Sequence, residues 1–450
     1  MFRRPLVFKS QPPVLKALRK HYTLHRRYLA TSLKEQDQAK KVTSILAALV
    51  DQLDDASDSD EEDEIQEDID QAEMMLEELV FEKVDDPEMN RTYIPIDITI
   101  DSLDPKDVDI HYRFRTKAHL KRVFNCLQLP ARCGPLSNGR WIDSEALFLF
   151  YLRRLSSVDT LYDMVNKYGF NGDVGTWCRG FKWFSKWLED RWGHKLTNNM
   201  DYWAPFFPHF SECIRKKAIA TSANFPNLPT PLPPITWWDV NGLRVCCFVD
   251  NNQVKTCRPG AGPGLGPGWR TPLQALIQRS FYNGWARAHG IKFETLDAPN
   301  GMTMWVYGPG SLRQNDLWMI GRSGLNIVMM IIQTRLGIPD ALHKLIYGDS
   351  IYVWMTHVRS RHGVYGTPNQ RAEDKAMSAC RELIEHNYGE ADELFPFMTY
   401  KKKLKILANQ PLGAIYMSKL LFRNMYVCLY NNKTGDRFNC AAPYLEDYMV

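Results

Sequence analysis

The sequence predicts an α/β fold, a mixed sheet covered by helices, preceded by an all-α segment and a charged N-terminal stretch. Three observations predict it. Between Leu243 and Glu385, short apolar runs with strand character alternate with stretches of helical periodicity. Ahead of the Pro-rich run Phe225–Pro234, the apolar residues recur at helical spacing only. Residues 51–70, with the run Asp58-Ser-Asp-Glu-Glu-Asp-Glu, are too acidic to fold alone.

In chain order, residues 1–50 form a basic arm, with 11 Lys/Arg against 2 Asp/Glu and clustered positive charge from His21 to Arg27. Residues 51–100 form an acidic, mostly disordered segment, since residues 51–90 carry 1 Lys/Arg against 19 Asp/Glu. A helical domain of helix-turn-helix type is expected over 104–224. Its strongest helix starts at Asp143, an N-cap followed by Glu145 and Ala146 in the first turn. A second helix runs from Thr160 to the stop signal Gly169, and a third, rich in Trp and Phe, from Gly172 to Leu188. Trp177, Trp183, Trp187 and Trp192 are expected in its core, while Lys182 and Lys186 share one helix face and are candidates to meet DNA phosphates. The Pro-rich stretch 225–236 excludes both helix and central strand and reads as a linker into a final domain, 237–450.

That domain opens with a strand, Leu243–Asp250, and a Gly/Pro loop from Pro259 to Gly268 that lacks the Gly-Lys-Ser/Thr of a nucleotide-binding loop. A hairpin turns at Pro299-Asn-Gly301. Helical signal begins at Ser311, with Asp316 in its first turns, and continues through the apolar Leu325–Leu336. The short run Leu342–Gly348 leads to Asp349, and Asn369–Tyr388 and Pro411–Asn431 read as helices. Lys401, Lys402, Lys403 and Lys405 form a basic cluster suited to phosphate.

Composition narrows the function. The chain is 44% apolar with 13 Trp, enough for a substantial core. Residues 91–450 carry 44 Lys/Arg against 31 Asp/Glu, a basic body that suits a nucleic-acid protein. The apolar runs fall short of the roughly 18 residues of a membrane span, and Met1-Phe-Arg-Arg-Pro opens no signal-peptide pattern. Ten scattered Cys without a Cys-x-x-Cys pair point to reduced thiols rather than to a disulfide framework or a zinc site. A cytosolic or nuclear location follows.

Asp250 and Asp349 both end predicted strands, and if those strands are neighbours their carboxylates meet at one sheet edge. Glu385, on a helix packed against the sheet, completes a set of three acids, and Arg381, one turn before it, faces the same way. In-line displacement at phosphodiesters uses two divalent cations ~3.5–4 Å apart, held by such carboxylates. Taken singly, each acid also reads as an ordinary turn, cap or salt-bridge residue.

Residues about 243–446 resemble the DDE superfamily endonuclease domain of PIF/Harbinger-type transposases, related to bacterial IS5 elements. The resemblance rests on five stretches in order: Val249-Asp250-Asn-Asn; Phe281-Tyr-Asn-Gly-Trp-Ala-Arg-Ala-His289-Gly-Ile-Lys-Phe; Gly308-Pro-Gly-Ser311-Leu-Arg-Gln-Asn-Asp316; Tyr347-Gly-Asp349-Ser-Ile-Tyr352; and Arg381-Glu-Leu-Ile-Glu385-His-Asn-Tyr-Gly389. Residues about 113–190 are similar to the family's N-terminal three-helix region. Asn251 and Ile351 depart from residues that are usually Gly there, and Asn315 stands where His is common. The resemblance implies an RNase H-like fold, with Asp250, Asp349 and Glu385 as catalytic and metal-binding triad for Mg²⁺ or Mn²⁺ and Asp316 as a supporting acid. It implies cleavage and strand transfer on double-stranded DNA in the nucleus, with Arg381 and the lysines above as DNA contacts. A Myb/SANT-like protein is implied as DNA-binding partner. The alternative is a domesticated, catalytically inactive DNA-binding or partner-binding protein on the same fold.

Overall fold

The computed structural model describes residues 98–450 apart from 169, 171–172, 223–243, 260–271, 353–354, 363–366 and 407–409. The basic arm, the acidic segment through residue 97, the linker 225–236 and the glycines of 260–268 lie outside the described residues. The chain divides into two compact units. One comprises Asn90–Thr256, Asn283–Leu404 and Pro411–Val450, so the helical and sheet segments belong to a single unit. The other comprises Met1–Met89, Cys257–Tyr282 and Lys405–Gln410. Its described part is chiefly the helix Pro272–Phe281, where the Arg258 guanidinium donates to Gln278 Oε1 at 2.9 Å.

In the larger unit, the helices begin where short polar side chains cap them. Asp104 caps α1 (Pro105–Tyr112), and Thr116 caps α2 (Lys117–Leu127). A two-residue antiparallel ladder, β1 (Arg132–Cys133) with β2 (Ile142–Asp143), delivers Asp143 to the start of α3 (Ser144–Ser156). There Asp143 Oδ1 accepts from the amides of Glu145 at 3.0 Å and Ala146 at 3.4 Å, the cap that the sequence predicts. Thr160 caps α4 (Leu161–Lys167) and Asp173 caps α5 (Val174–Trp192). α3 is buried almost all round, so it is the axis of this helical layer. Trp177 and Trp192 are buried in the core, whereas Trp183 and Trp187 are half-buried and stack on each other. α6 (Phe207–Ser222) then leads toward the sheet.

The sheet is mixed. Its central strand β3 (Val245–Lys255) pairs antiparallel with β4 (Ala288–Asp297) and parallel with β6 (Leu345–Tyr347). β4 pairs antiparallel with β5 (Thr303–Ser311), and β6 pairs parallel with β7 (Val358–Arg359). The hairpin turn falls where Pro299-Asn-Gly301 predicts it, with Gly301 at φ +82°. Asn315, not Ser311, caps the next helix, so the expected single helix starts later and is two: α7 (Asp316–Ser323) and α8 (Leu325–Arg335), broken at Gly324 in the left-handed region. α9 (Pro368–Leu394) extends beyond Asn369–Tyr388 chiefly at its C-terminal end, and Thr367 and Gln370 form a reciprocal capping box at its start.

Helices cover both faces of the sheet. Strand alternation puts Asp250 and Asn252 of β3 on one face and Asn251 on the other. On the first face, Asn252 Nδ2 donates to the Tyr416 hydroxyl at 3.0 Å, and Phe293 stacks on the Tyr416 ring at 3.8 Å between centroids. Tyr416 belongs to α10 (Leu412–Tyr430), a helix buried nearly all round that packs on both α5 and β5. α9 is fastened to α10 by charge: Arg423, fully buried, donates to Glu390 Oε2 at 2.8 Å, and Lys419 pairs with Asp392. Removing one member of a buried pair leaves the other uncompensated, at a cost of about 3 kcal/mol or more. Glu390→Gln is therefore expected to lower unfolding free energy by about that amount, read as a lower urea midpoint at unchanged slope. An unchanged midpoint would show that the pair adds nothing to the fold.

Candidate functional site

β3 and β6 run in parallel from Val245↔Leu345 to Phe248↔Tyr347. Asp250 and Asp349 each lie two residues beyond that last pair, so both leave the same end of the parallel ladder. The sequence places Asp250 at a strand tip. Instead, β3 continues to Lys255, and Asp250 lies within the strand opposite Thr295 of β4. The acid still reaches the edge because the parallel partner stops, not because β3 does.

α9 supplies the remaining residues. Its hold on the sheet at this point is a short hydrogen bond between the Tyr388 and Thr295 hydroxyls, 2.5 Å. One and two turns earlier lie Glu385 and Arg381. The Arg381 guanidinium touches all three acids: Nη1 lies 3.3 Å from Asp250 Oδ2 and 2.5 Å from Glu385 Oε1, and Nη2 lies 4.0 Å from Asp349 Oδ1. Burial works against the Arg381 charge, but Asp250, Glu385 and Asp349 together raise its pKa. Burial pushes the Asp250 carboxyl up to about 6, opposed by the Asn251 amide and Arg381 and reinforced by Glu385 and Asp316. The Asp250 side chain is 23% exposed, against 43% for Asp349 and 44% for Glu385, so the cluster opens to solvent on the side of the latter two.

The segment after β6 has a steric logic. A Cβ at Gly348 would lie 2.4 Å from the Tyr352 ring, so only glycine lets that buried tyrosine fold back across it. Asn251 Nδ2 donates to the Tyr352 hydroxyl at 2.6 Å. The residue beside Asp250 thus ties down the turn that carries Asp349. Ile351, between them, is exposed.

Asp316 is not part of this cluster of contacts. It sits at the start of α7, bonded at 2.7 Å to Lys292 Nζ, which also donates to the Gln314 carbonyl at 2.9 Å. The expected phosphate contacts are dispersed. Lys186 pairs with Glu189 and Asp190 on its own helix. Lys182 is half-buried on α5. Lys401–Lys403 form a single 3-10 turn in which Lys403 Nζ donates to the Asp159 carbonyl at 2.7 Å. Lys405 belongs to the other compact unit.

Two groups escape sequence reasoning. Glu294, opposite Asn251 in the ladder, is fully buried. Burial pushes its pKa up to about 8, opposed by the Ser323 hydroxyl and reinforced by Asp316, so it is largely protonated at neutral pH. His209, Cys213 and Cys440 also meet. Among the described residues they are the one group of three His, Cys, Asp or Glu whose ligand atoms all lie within 4.8 Å of one another. The His-x-x-x-Cys spacing was visible; its meeting with Cys440 was not.

Set against protein-family models, curated proteins and solved structures, the chain matches none of them. No helix among the described residues is long and apolar enough to cross a membrane.

Two titrations test this geometry. Glu294 has a folded pKa above its unfolded value near 4.5, so the folded state holds the extra proton and stability falls as pH rises from there to about 8. The loss is on the order of 4 kcal/mol. Glu294→Gln is expected to flatten the urea midpoint over that range; an identical pH profile in variant and parent would remove the buried acid from consideration. Replacing Arg381 by Gln is expected to move the Asp250 carboxyl above about 6, followed by carboxyl-carbon NMR. A downward or absent shift would mean that the guanidinium does not govern that acid.

Proposed function

We propose that this chain is a transposase-type DNA endonuclease with an RNase H-like sheet, hydrolysing phosphodiester bonds and transferring strands at transposon ends. The observation that carries the reading is the convergence of Asp250, Asp349 and Glu385, from three separate elements, on one guanidinium. Three carboxylates drawn this close need a shared positive charge, and hard oxygen donors suit Mg²⁺ or Mn²⁺. The donor chemistry suits such an ion: Asp250, Asp349 and Glu385 would hold it once Arg381 turned aside. When bound, a divalent ion supplies water activation and stabilisation of the leaving oxygen.

The chain's own groups do the rest. Asp250, the most buried of the three, anchors the site to the central strand. Asp349 and Glu385, on the open side, meet the incoming phosphodiester. Arg381, released from the acids, reaches phosphate as a bidentate donor. Asp316 acts through Lys292, fixing the end of β4 and α7, and is a positioning residue. Lys182, Lys186, Lys401, Lys402, Lys403 and Lys405 are proposed as sequence-independent contacts to double-stranded DNA, in a nuclear protein aided by a Myb/SANT-like partner.

A second reading has its own support. With Arg381 among them, the repulsion between the three acids is partly offset without any metal, as in a non-cutting DNA-binding or partner-binding protein. Nicking of inverted-repeat DNA with Mg²⁺ or Mn²⁺ separates the two. The nuclease reading expects metal-dependent cleavage that Asp250→Ala or Glu385→Ala each reduces by about a thousandfold, the scale of several kcal/mol of lost charge stabilisation. Cleavage that survives both substitutions would sink the triad. Salt-sensitive DNA binding without cleavage, in the parent and in Arg381→Gln alike, would favour the second reading.

A further inference from the structure

α6 presents His209 and Cys213 at i and i+4, hence on one face, and the chain's last turns bring Cys440 to them. The approach of Cys440 is built by the backbone. α11 (Lys433–Phe438) ends at Asn439 in the left-handed region, at φ 50°, and the Cys440 amide then donates to the Gly435 carbonyl at 2.9 Å. A Cβ at Gly435 would come within 2.9 Å of the Cys440 carbonyl oxygen, so the hook closes tightly on a glycine. Cys213 Sγ lies 3.8 Å from the Asn439 carbonyl and 3.6 Å from His209 Nε2.

The Cys213–His209 distance matches a coordination sphere. With zinc–sulfur near 2.3 Å and zinc–nitrogen near 2.0–2.1 Å, a tetrahedral site separates the two ligand atoms by about 3.5 Å. All three ligand atoms fall within 4.8 Å of one another. We propose that His209, Cys213 and Cys440 bind a zinc ion that staples α6 to the C-terminal hook, with the fourth position open to solvent or a further ligand. Two thiolates and a neutral imidazole balance the charge of Zn²⁺, and their softness selects against Mg²⁺ and Mn²⁺. Cys213 and Cys440 are buried and His209 is exposed, so the open position lies on the histidine side. The nearest carboxylate on α6, Glu212, is held by Arg215 at 2.6 Å and by Lys216 at 3.7 Å, which leaves it no role as the fourth ligand. α6 packs on β3 and α9, so the staple braces the layer behind Asp250 and Arg381. It holds whether or not that site cuts DNA.

The test uses the full chain, purified without chelator, with metal content by mass spectrometry and cobalt substitution by absorption. Stoichiometric zinc is expected, together with a thiolate-to-cobalt charge-transfer band and a melting temperature that falls on chelation. His209→Gln, at an exposed helix position, keeps the fold and is expected to weaken zinc binding by at least about tenfold, the effect of removing even a partner of a metal ligand. It should also lose the chelator-dependent melting shift. Cys440→Ala is expected to abolish the charge-transfer band. Protein that takes up neither zinc nor cobalt, a His209→Gln variant with undiminished zinc, or a Cys213–Cys440 disulfide in the isolated protein would each overturn the proposal.

Discussion

Bringing three ionised carboxylates together is unfavourable unless a cation stands between them, and the contact of Arg381 with Asp250, Asp349 and Glu385 meets that constraint. Much of the surrounding structure serves to hold that guanidinium in place. α9 must lie on the face of the sheet that Asp250 occupies. It is fixed there by Tyr388 on Thr295 and, further along, by Glu390 and Asp392 on the buried cations of α10. α10 in turn packs on the helical layer as well as the sheet, so the placement of Arg381 draws on both segments of the unit.

The sheet separates two kinds of acid chemistry. On the α9 face, Asp250 has a cationic partner and is poised near neutrality. On the α7 face, Glu294 is fully buried and keeps its proton. The ladder pair Asn251↔Glu294 sits directly beside Asp250↔Thr295, so one residue of register divides an ion-paired carboxylate from a neutral one. Asn251 links the two sides, since its amide fixes Tyr352 and with it the turn of Asp349.

The His209, Cys213 and Cys440 cluster differs in kind. Its donors are soft and largely buried, whereas those around Arg381 are hard and partly exposed. The two groups differ in donor chemistry and sit on different elements, though α6 lies against the same strand that carries Asp250.

The sequence by itself determined the local elements and their caps: Asp143 and Thr160 as helix starts, the turn at Gly301, and the helices around Glu385 and Tyr416. These follow from short-range rules of hydrogen bonding and periodicity, which a single stretch of chain contains. It also picked out Asp250, Asp349, Arg381 and Glu385 as residues able to meet. Tertiary structure decided what they meet. That one guanidinium serves all three acids, that Asp316 is taken by Lys292, that Glu294 is cut off from water, and that Cys440 returns to α6 each depend on contacts between residues remote in sequence. Such contacts are set by which faces pack together and which groups burial leaves unpaired, and no local pattern encodes them.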